Sequence, residues 1–182
     1  MGCCDETKRI QDFVEKLGVK DNITPEDFAK ALESAIADRA KIFYFIYKTL
    51  QRLHPEIDAD KVMATASHEF GKYNSKKMGS VKDAADALLN QTSRGGMLAF
   101  KQEITELSEK SAEKCMYNCP HVNAFKELGC SQEEITKLCK MLLMPGDFAL
   151  LEAYPNIKLE FPKTLAEDDV CIMKITAQES KE

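Results

Sequence analysis

The apolar residues of this chain change their period near Arg94-Gly95-Gly96, and that change constrains the fold more than any other feature. Before it they recur at three- and four-residue spacing. Ile10, Phe13, Val14 and Leu17 line one face of a first helix over Asp5 to Leu17, which Gly18 stops. Thr24-Pro25-Glu26-Asp27 joins an N-cap, a proline at the first helical position and acids in the first turn. The helix this predicts runs through Ala31, Ala35 and Phe43 to about Leu53, and Pro55 forbids continuation. Asp58 caps a third helix, Ala59 to about Tyr73, and Gly79-Ser80 precedes a fourth, Val81 to Leu89. The two glycines after Arg94 then release the chain.

Beyond them the period is two. Ile104 to Leu107 and Glu113 to Cys119 read as strands joined by Ser108-Glu109-Lys110-Ser111, with Cys115, Tyr117 and Cys119 on one face. Pro120 ends the second strand, and helix returns over Val122 to Leu128, stopped by Gly129. Ser131-Gln132-Glu133-Glu134 is a capping box for a helix to about Met144, and Pro145-Gly146-Asp147 starts a short piece over Phe148 to Tyr154. Ile157, Leu159 and Phe161 alternate with charged residues, and Val170 to Ile175 is a β-branched run, giving two more strands. Helices ahead of strands imply an α+β fold: a helical part, residues 1–96, covering one face of a small four-stranded antiparallel sheet in residues 97–182, with helices inserted between strands two and three. A chain of 182 residues suits one domain that buries about 70% of its unfolded surface.

Charge and composition remove several function classes. A net charge of −5, with basic residues scattered among more numerous acids, argues against nucleic acid. The most apolar window, Ile42 to Tyr47 between Lys41 and Lys48, is far short of the ~20 residues that span a bilayer. It reads as a buried helix or a homodimer contact, not as a membrane segment. Met1 to Glu6 lacks an apolar signal region, and Glu6 stands where myristoylation wants Ser or Thr, so a cytoplasmic protein is expected. Seven cysteines in a reducing compartment are metal ligands, nucleophiles or packing residues before they are disulfides. No Gly-rich phosphate loop, serine nucleophile elbow or metalloprotease pair occurs, so a small-molecule substrate without a cofactor is expected.

Cys119 carries the sharpest chemistry. At a strand end followed by Pro120 and a helix, its sulfur meets backbone N–H groups and the positive helix end, which favour thiolate. His121 offers a general base or a thiolate partner, and Asp147 a group to orient a histidine or a water. Against this stand plainer roles: a cysteine as apolar filler, His121 as a surface or capping residue, and Asp147 as an N-cap. His68 and Lys72 share a helix face and read as a solvated stripe.

A longer ordered series lies in the C-terminal third: Cys119-Pro120, Ala124-Phe125-Lys126-Glu127-Leu128-Gly129, Cys139, Asp147-Phe148-Ala149, Glu152-Ala153-Tyr154-Pro155, Ile157-Lys158-Leu159 and Lys163-Thr164-Leu165, with a closing strand around Cys171. This series resembles the L-2-amino-thiazoline-4-carboxylic acid hydrolase family, and Gly71 and Gly79 are further matching positions. The resemblance implies hydrolysis of a carbon–nitrogen bond in a small cyclic amidine bearing a carboxylate. Attack by Cys119, or by water held by His121 and Asp147, would open the ring to a carbamoyl product. Lys126 and Arg94 are then carboxylate partners, and Glu152, Cys139 and Cys171 enter as family-matched positions of the substrate site. Two other readings compete. A non-catalytic ligand-binding or sensor module uses the same fold without turnover. In a zinc site, Cys115, Cys119 and His121, joined by Cys130 or Cys139, would supply soft ligands, although the spacing lacks the two close pairs of structural zinc.

Overall fold

The computed structural model describes residues 8, 11–13, 15–18 and 22–178. Of the expected helix over Asp5 to Leu17, residues 8, 11–13 and 15–16 are helical and the others but Leu17 lie outside the described residues, as do Cys3 and Cys4.

Helix α1 spans Pro25–Leu53. Its start is a reciprocal cap: the Thr24 hydroxyl accepts from the Asp27 amide while the Asp27 carboxylate accepts from the Thr24 amide. Helix α2, Ala59–Ser75, is capped by Asp58, whose carboxylate accepts from the Lys61 amide. Helix α3, Ala84–Asn90, begins three residues later than its sequence suggests, because the Asp83 side chain takes the Asp86 amide and sets the cap there. The Arg94-Gly95-Gly96 stretch is not a release. Ser93 accepts from the Gly96 amide and opens a short helix α4, Arg94–Ala99.

Strands β1 (Gln102–Leu107) and β2 (Ser111–Met116) form a hairpin whose turn is tied by the Ser108 hydroxyl to the Ser111 backbone. Helix α5, Pro120–Glu127, ends where Gly129 takes a φ of 75°. Helix α6, Gln132–Leu138, does not stop; it passes through a π-helical turn, Cys139–Leu143, into α7, Met144–Leu151. Strands β3 (Ile157–Lys163) and β4 (Cys171–Ala177) complete an antiparallel sheet in the order β1-β2-β4-β3. The α+β architecture with helices between β2 and β3 is therefore as expected.

Strand β2 ends at Met116, short of Cys119. Its inner face carries Ala112, Lys114 and Met116, paired across to Ile175, Met173 and Cys171. Cys115 therefore points to the other face and Cys119 stands off the strand, so the expected grouping of Cys115, Tyr117 and Cys119 does not form. Two apolar clusters hold the fold. One packs Ala40, Tyr47 and Met63 of the long helices on Val122, Phe125, Leu138 and Leu142; the other packs Ala84, Ala87 and Leu88 on the inner sheet face. Each large side chain buried this way contributes about 1.5–3 kcal/mol. Tyr47 is buried with its hydroxyl on Asp60 at 2.7 Å, but Ile42, Phe45 and Ile46 are exposed, so the aromatic window of α1 is buried only along one edge. Among the described residues no helix is long and apolar enough to cross a membrane.

Candidate functional site

A cavity of about 610 Å³ lies between the two clusters, floored by the inner sheet face and roofed by α1 and α2. Cys119, His121 and Asp147 all line it, and so do Cys139 and Cys171. The sequence separates these residues widely; the fold brings them to one space.

Cys119 is the N-cap residue of α5, with Pro120 in the first turn. The turn leading to it is fixed by Asn118, whose side-chain amide donates to the Ala99 carbonyl at 2.7 Å and whose carbonyl accepts from Asn123 at 2.8 Å. Because no side chain caps α5, its free amides are available to the sulfur. Burial pushes the Cys119 thiol up, and the amides of Val122 and His121 pull against it. Burial prevails, with help from the Asp147 charge. The niche is the one expected, but the free protein holds a thiol there and not a thiolate.

His121 is 8% exposed, which excludes the surface role. Its Nδ1 lies 4.0 Å from Cys119 Sγ and its Nε2 3.2 Å from Arg39 Nη2. Burial pushes the imidazole down to about 4, and the Arg39 charge adds to this, so the ring is neutral at pH 7. An arginine only donates, hence Nε2 accepts and the proton sits on Nδ1, facing the sulfur. In this tautomer His121 is a donor to a developing thiolate, not a base for the thiol.

Asp147 is in the first turn of α7 but caps nothing; the residue before that helix is Leu143. Its carboxyl faces the cavity, enclosed by protein on the other sides, and burial pushes it up to about 6, partly offset by Lys114. It is ionised at neutral pH and close enough to its transition to take up a proton. Its placement rests on the π-helical turn. Ser67 of α2 donates to the Leu142 carbonyl at 2.7 Å and accepts from the Gly146 amide at 3.1 Å, the two groups that would bond each other in an unbroken α-helix. Gly71 then sits against Gly146: a Cβ at 71 would lie 2.2 Å from the Gly146 carbonyl oxygen.

Cys139 and Cys171 are pushed up to about 12 by burial and then by Cys119, so both stay thiols. Lys126, Arg94 and Glu152 lie elsewhere. Lys126 is exposed over a separate groove with Gln132, Glu133 and Glu167, although its charge still reaches Cys119. Arg94 is exposed outside the cavity. Glu152 meets His68 at 3.0 Å on the surface. The zinc set does not assemble: among the described residues no group of three His, Cys, Asp or Glu side chains is placed to hold a metal ion. Cys115 is on the wrong sheet face, and Cys130 is at Tyr44.

Two lining residues escape a sequence reading. Arg39 is one cation on a long amphipathic helix, with nothing to single it out. Lys114 follows Glu113 in a strand and looks solvated, yet it is 2% exposed, on the inner face beside Met116.

Residues 36–174 match the family model described as L-2-amino-thiazoline-4-carboxylic acid hydrolase. No curated protein matches the chain at a significant level. The matched span takes in Arg39, Lys114, Cys119, His121, Asp147 and Cys171, and so the cavity and the family signature coincide on one stretch of sequence. With 36–174 of its 182 residues matched, the chain belongs to the L-2-amino-thiazoline-4-carboxylic acid hydrolase family.

Proposed function

We propose that the protein hydrolyses a ring carbon–nitrogen bond in a small cyclic amidine of the 2-amino-thiazoline-4-carboxylate type. The observation that carries this is the meeting of Cys119, His121 and Asp147 on one cavity. Asp147, ionised at pH 7, takes the Cys119 proton directly or through one water as sulfur attacks the amidine carbon. The His121 Nδ1–H and the first amides of α5 stabilise the charge on sulfur. The ring nitrogen takes the proton from Asp147 and a second from the exocyclic amino group and leaves as an amine, while the carbon keeps a double bond to the exocyclic nitrogen. Water then adds to the carbon, giving one proton to Asp147 and the other to the exocyclic nitrogen, and the sulfur leaves with the proton from Asp147 as the carbamoyl product forms.

A turnover screen of thiazoline-type substrates with wild type, Cys119→Ala and Asp147→Asn tests this. Turnover in wild type that falls at least a hundredfold in both variants is expected; equal turnover in Cys119→Ala removes the nucleophile. The raised thiol favours a second reading, a binding domain without turnover. Its mark is ligand binding with no product and a Cys119 alkylation rate no faster than that of a free thiol.

A further inference from the structure

One wall of the cavity is not used by the chemistry above. Lys114 lies there, 2% exposed, and its ammonium has three donors but, among the described residues, a single protein partner, Thr92 Oγ1 at 3.4 Å. Among the described residues no carboxylate comes within ion-pair distance of it. Gln91 precedes Thr92, and Gln102 pairs across the strands with Met116, on the same inner face as Lys114. Both glutamines line the cavity, and each has a buried amide atom without a partner among the described residues, Nε2 of Gln91 and Oε1 of Gln102. An unpaired buried amide group costs about 1–3 kcal/mol, and an uncompensated buried charge costs more. Water can satisfy the amides, but it cannot neutralise the ammonium.

We propose that Lys114, with the unpaired Nε2 donor of Gln91 on the same wall, is the anchor for a carboxylate on the ligand, in place of Lys126 and Arg94. The inference rests on reading the cavity as the substrate site. Charge selects the occupant. The lining holds two cations, Arg39 and Lys114, and one carboxylate, Asp147, which leaves a single positive charge unbalanced. A monoanion balances it; a phosphate dianion does not. Arg39 is exposed to solvent and donates to His121, whereas Lys114 is buried, so Lys114 is the cation that gains from an anion in the cavity. The rest of the lining is mostly apolar, including Phe43, Phe70, Phe100 and Met116, and suits a small ring behind the carboxylate. Asp147 repels that carboxylate and so directs the ligand to enter with its anion toward Lys114 and its amidine toward Asp147.

The test uses two unreactive probes of ring size, cyclopentanecarboxylate and cyclopentanecarboxamide, with binding measured by calorimetry or ligand-observed NMR. Wild type is expected to bind the carboxylate at least tenfold more tightly than the amide. Lys114→Met should erase that preference by weakening the carboxylate alone, and Lys114→Arg should retain part of it. Equal affinity of the two probes for wild type overturns the proposal, as does a Lys114→Met variant that keeps the preference or weakens both probes alike. The wild-type comparison stands even if the methionine variant does not fold. These affinities need no turnover, so a wild type that hydrolyses nothing sinks the hydrolase reading and leaves the anchor to be judged on the probes.

Discussion

Replacing Gly71 by alanine, ordinarily a stabilising change inside a helix, is expected to destabilise this protein. In a free helix interior the substitution gains about 1 kcal/mol. Here the new Cβ would meet the Gly146 carbonyl oxygen at 2.2 Å, Ala149 Cβ at 2.8 Å and the Gly146 carbonyl carbon at 2.9 Å. Two of these atoms are backbone, so no side chain can swing away. A carbon–oxygen contact closes to about 3.3 Å at best, and α2 must therefore back away from α7 by about 1 Å. A gap of that size forfeits roughly a quarter to a half of each dispersion contact between the helices. Overpacking costs about 1–3 kcal/mol, and a rigid backbone clash belongs at the upper end. The net loss is then about 2 kcal/mol, or a Tm lower by about 4–8 °C for a domain this size. Gly79→Ala is the control: its Cβ would meet nothing nearer than Asn90 Oδ1 at 3.7 Å, and its stability should stay within about 0.5 kcal/mol of wild type. Urea unfolding of the three proteins decides the matter. A Gly71→Ala protein as stable as wild type, or more so, refutes the close helix contact that seats Asp147.

Four further changes probe the same machinery. Ser67→Ala leaves the Leu142 carbonyl and the Gly146 amide without their shared hydroxyl and should cost about 1–3 kcal/mol in urea unfolding, with activity reduced because Asp147 is the next residue. Asp147 has its carboxyl raised from 3.8 to about 6, so it contributes stability that is present below pH 3.8 and lost as the pH rises through 6; Asp147→Asn should gain on wild type across that window and hold a constant lead above it. His121, lowered from 6.5 to about 4, acts with the opposite sign, and His121→Gln should therefore gain on wild type as the pH falls from 6.5 to 4, both effects read from urea midpoints across pH. Arg39→Met frees His121 Nε2 and removes a neighbouring positive charge, so the imidazole should titrate higher by NMR and the pH profile of Cys119 alkylation should shift, two readouts that a simple loss of packing leaves unmoved.

How much of this was legible in the sequence depends on whether the signal was local. The switch of apolar period announced helices before strands, and caps such as Thr24 and Asp58 fixed their helix starts to the residue. Cys119, His121 and Asp147 stood out because a strand end, a proline and a helix start give local reasons for chemistry. Partners that come from afar were invisible. Arg39 reaches His121 across 82 positions of sequence. Lys114 looks solvated because taking Cys115, Tyr117 and Cys119 as the functional face leaves it on the opposite one, whereas the pairing with β4 turns Lys114 and Met116 toward the cavity. The π-helical turn was hidden for a similar reason. Pro145 and Gly146 read as a break, and only a hydroxyl supplied by another helix lets the chain continue through them.

The sheet order has a consequence for how the protein comes into being. β4 follows every other strand along the chain yet lies between β2 and β3. During synthesis the hairpin β1-β2 and the strand β3 each present a raw hydrogen-bonding edge until Cys171–Ala177 emerges to join them. The floor of the cavity, with Cys171 and Met173 in it, does not exist before that moment. A chain arrested upstream of β4 thus lacks its cavity and is exposed to strand pairing with its neighbours, which places its stickiest stage just ahead of completion.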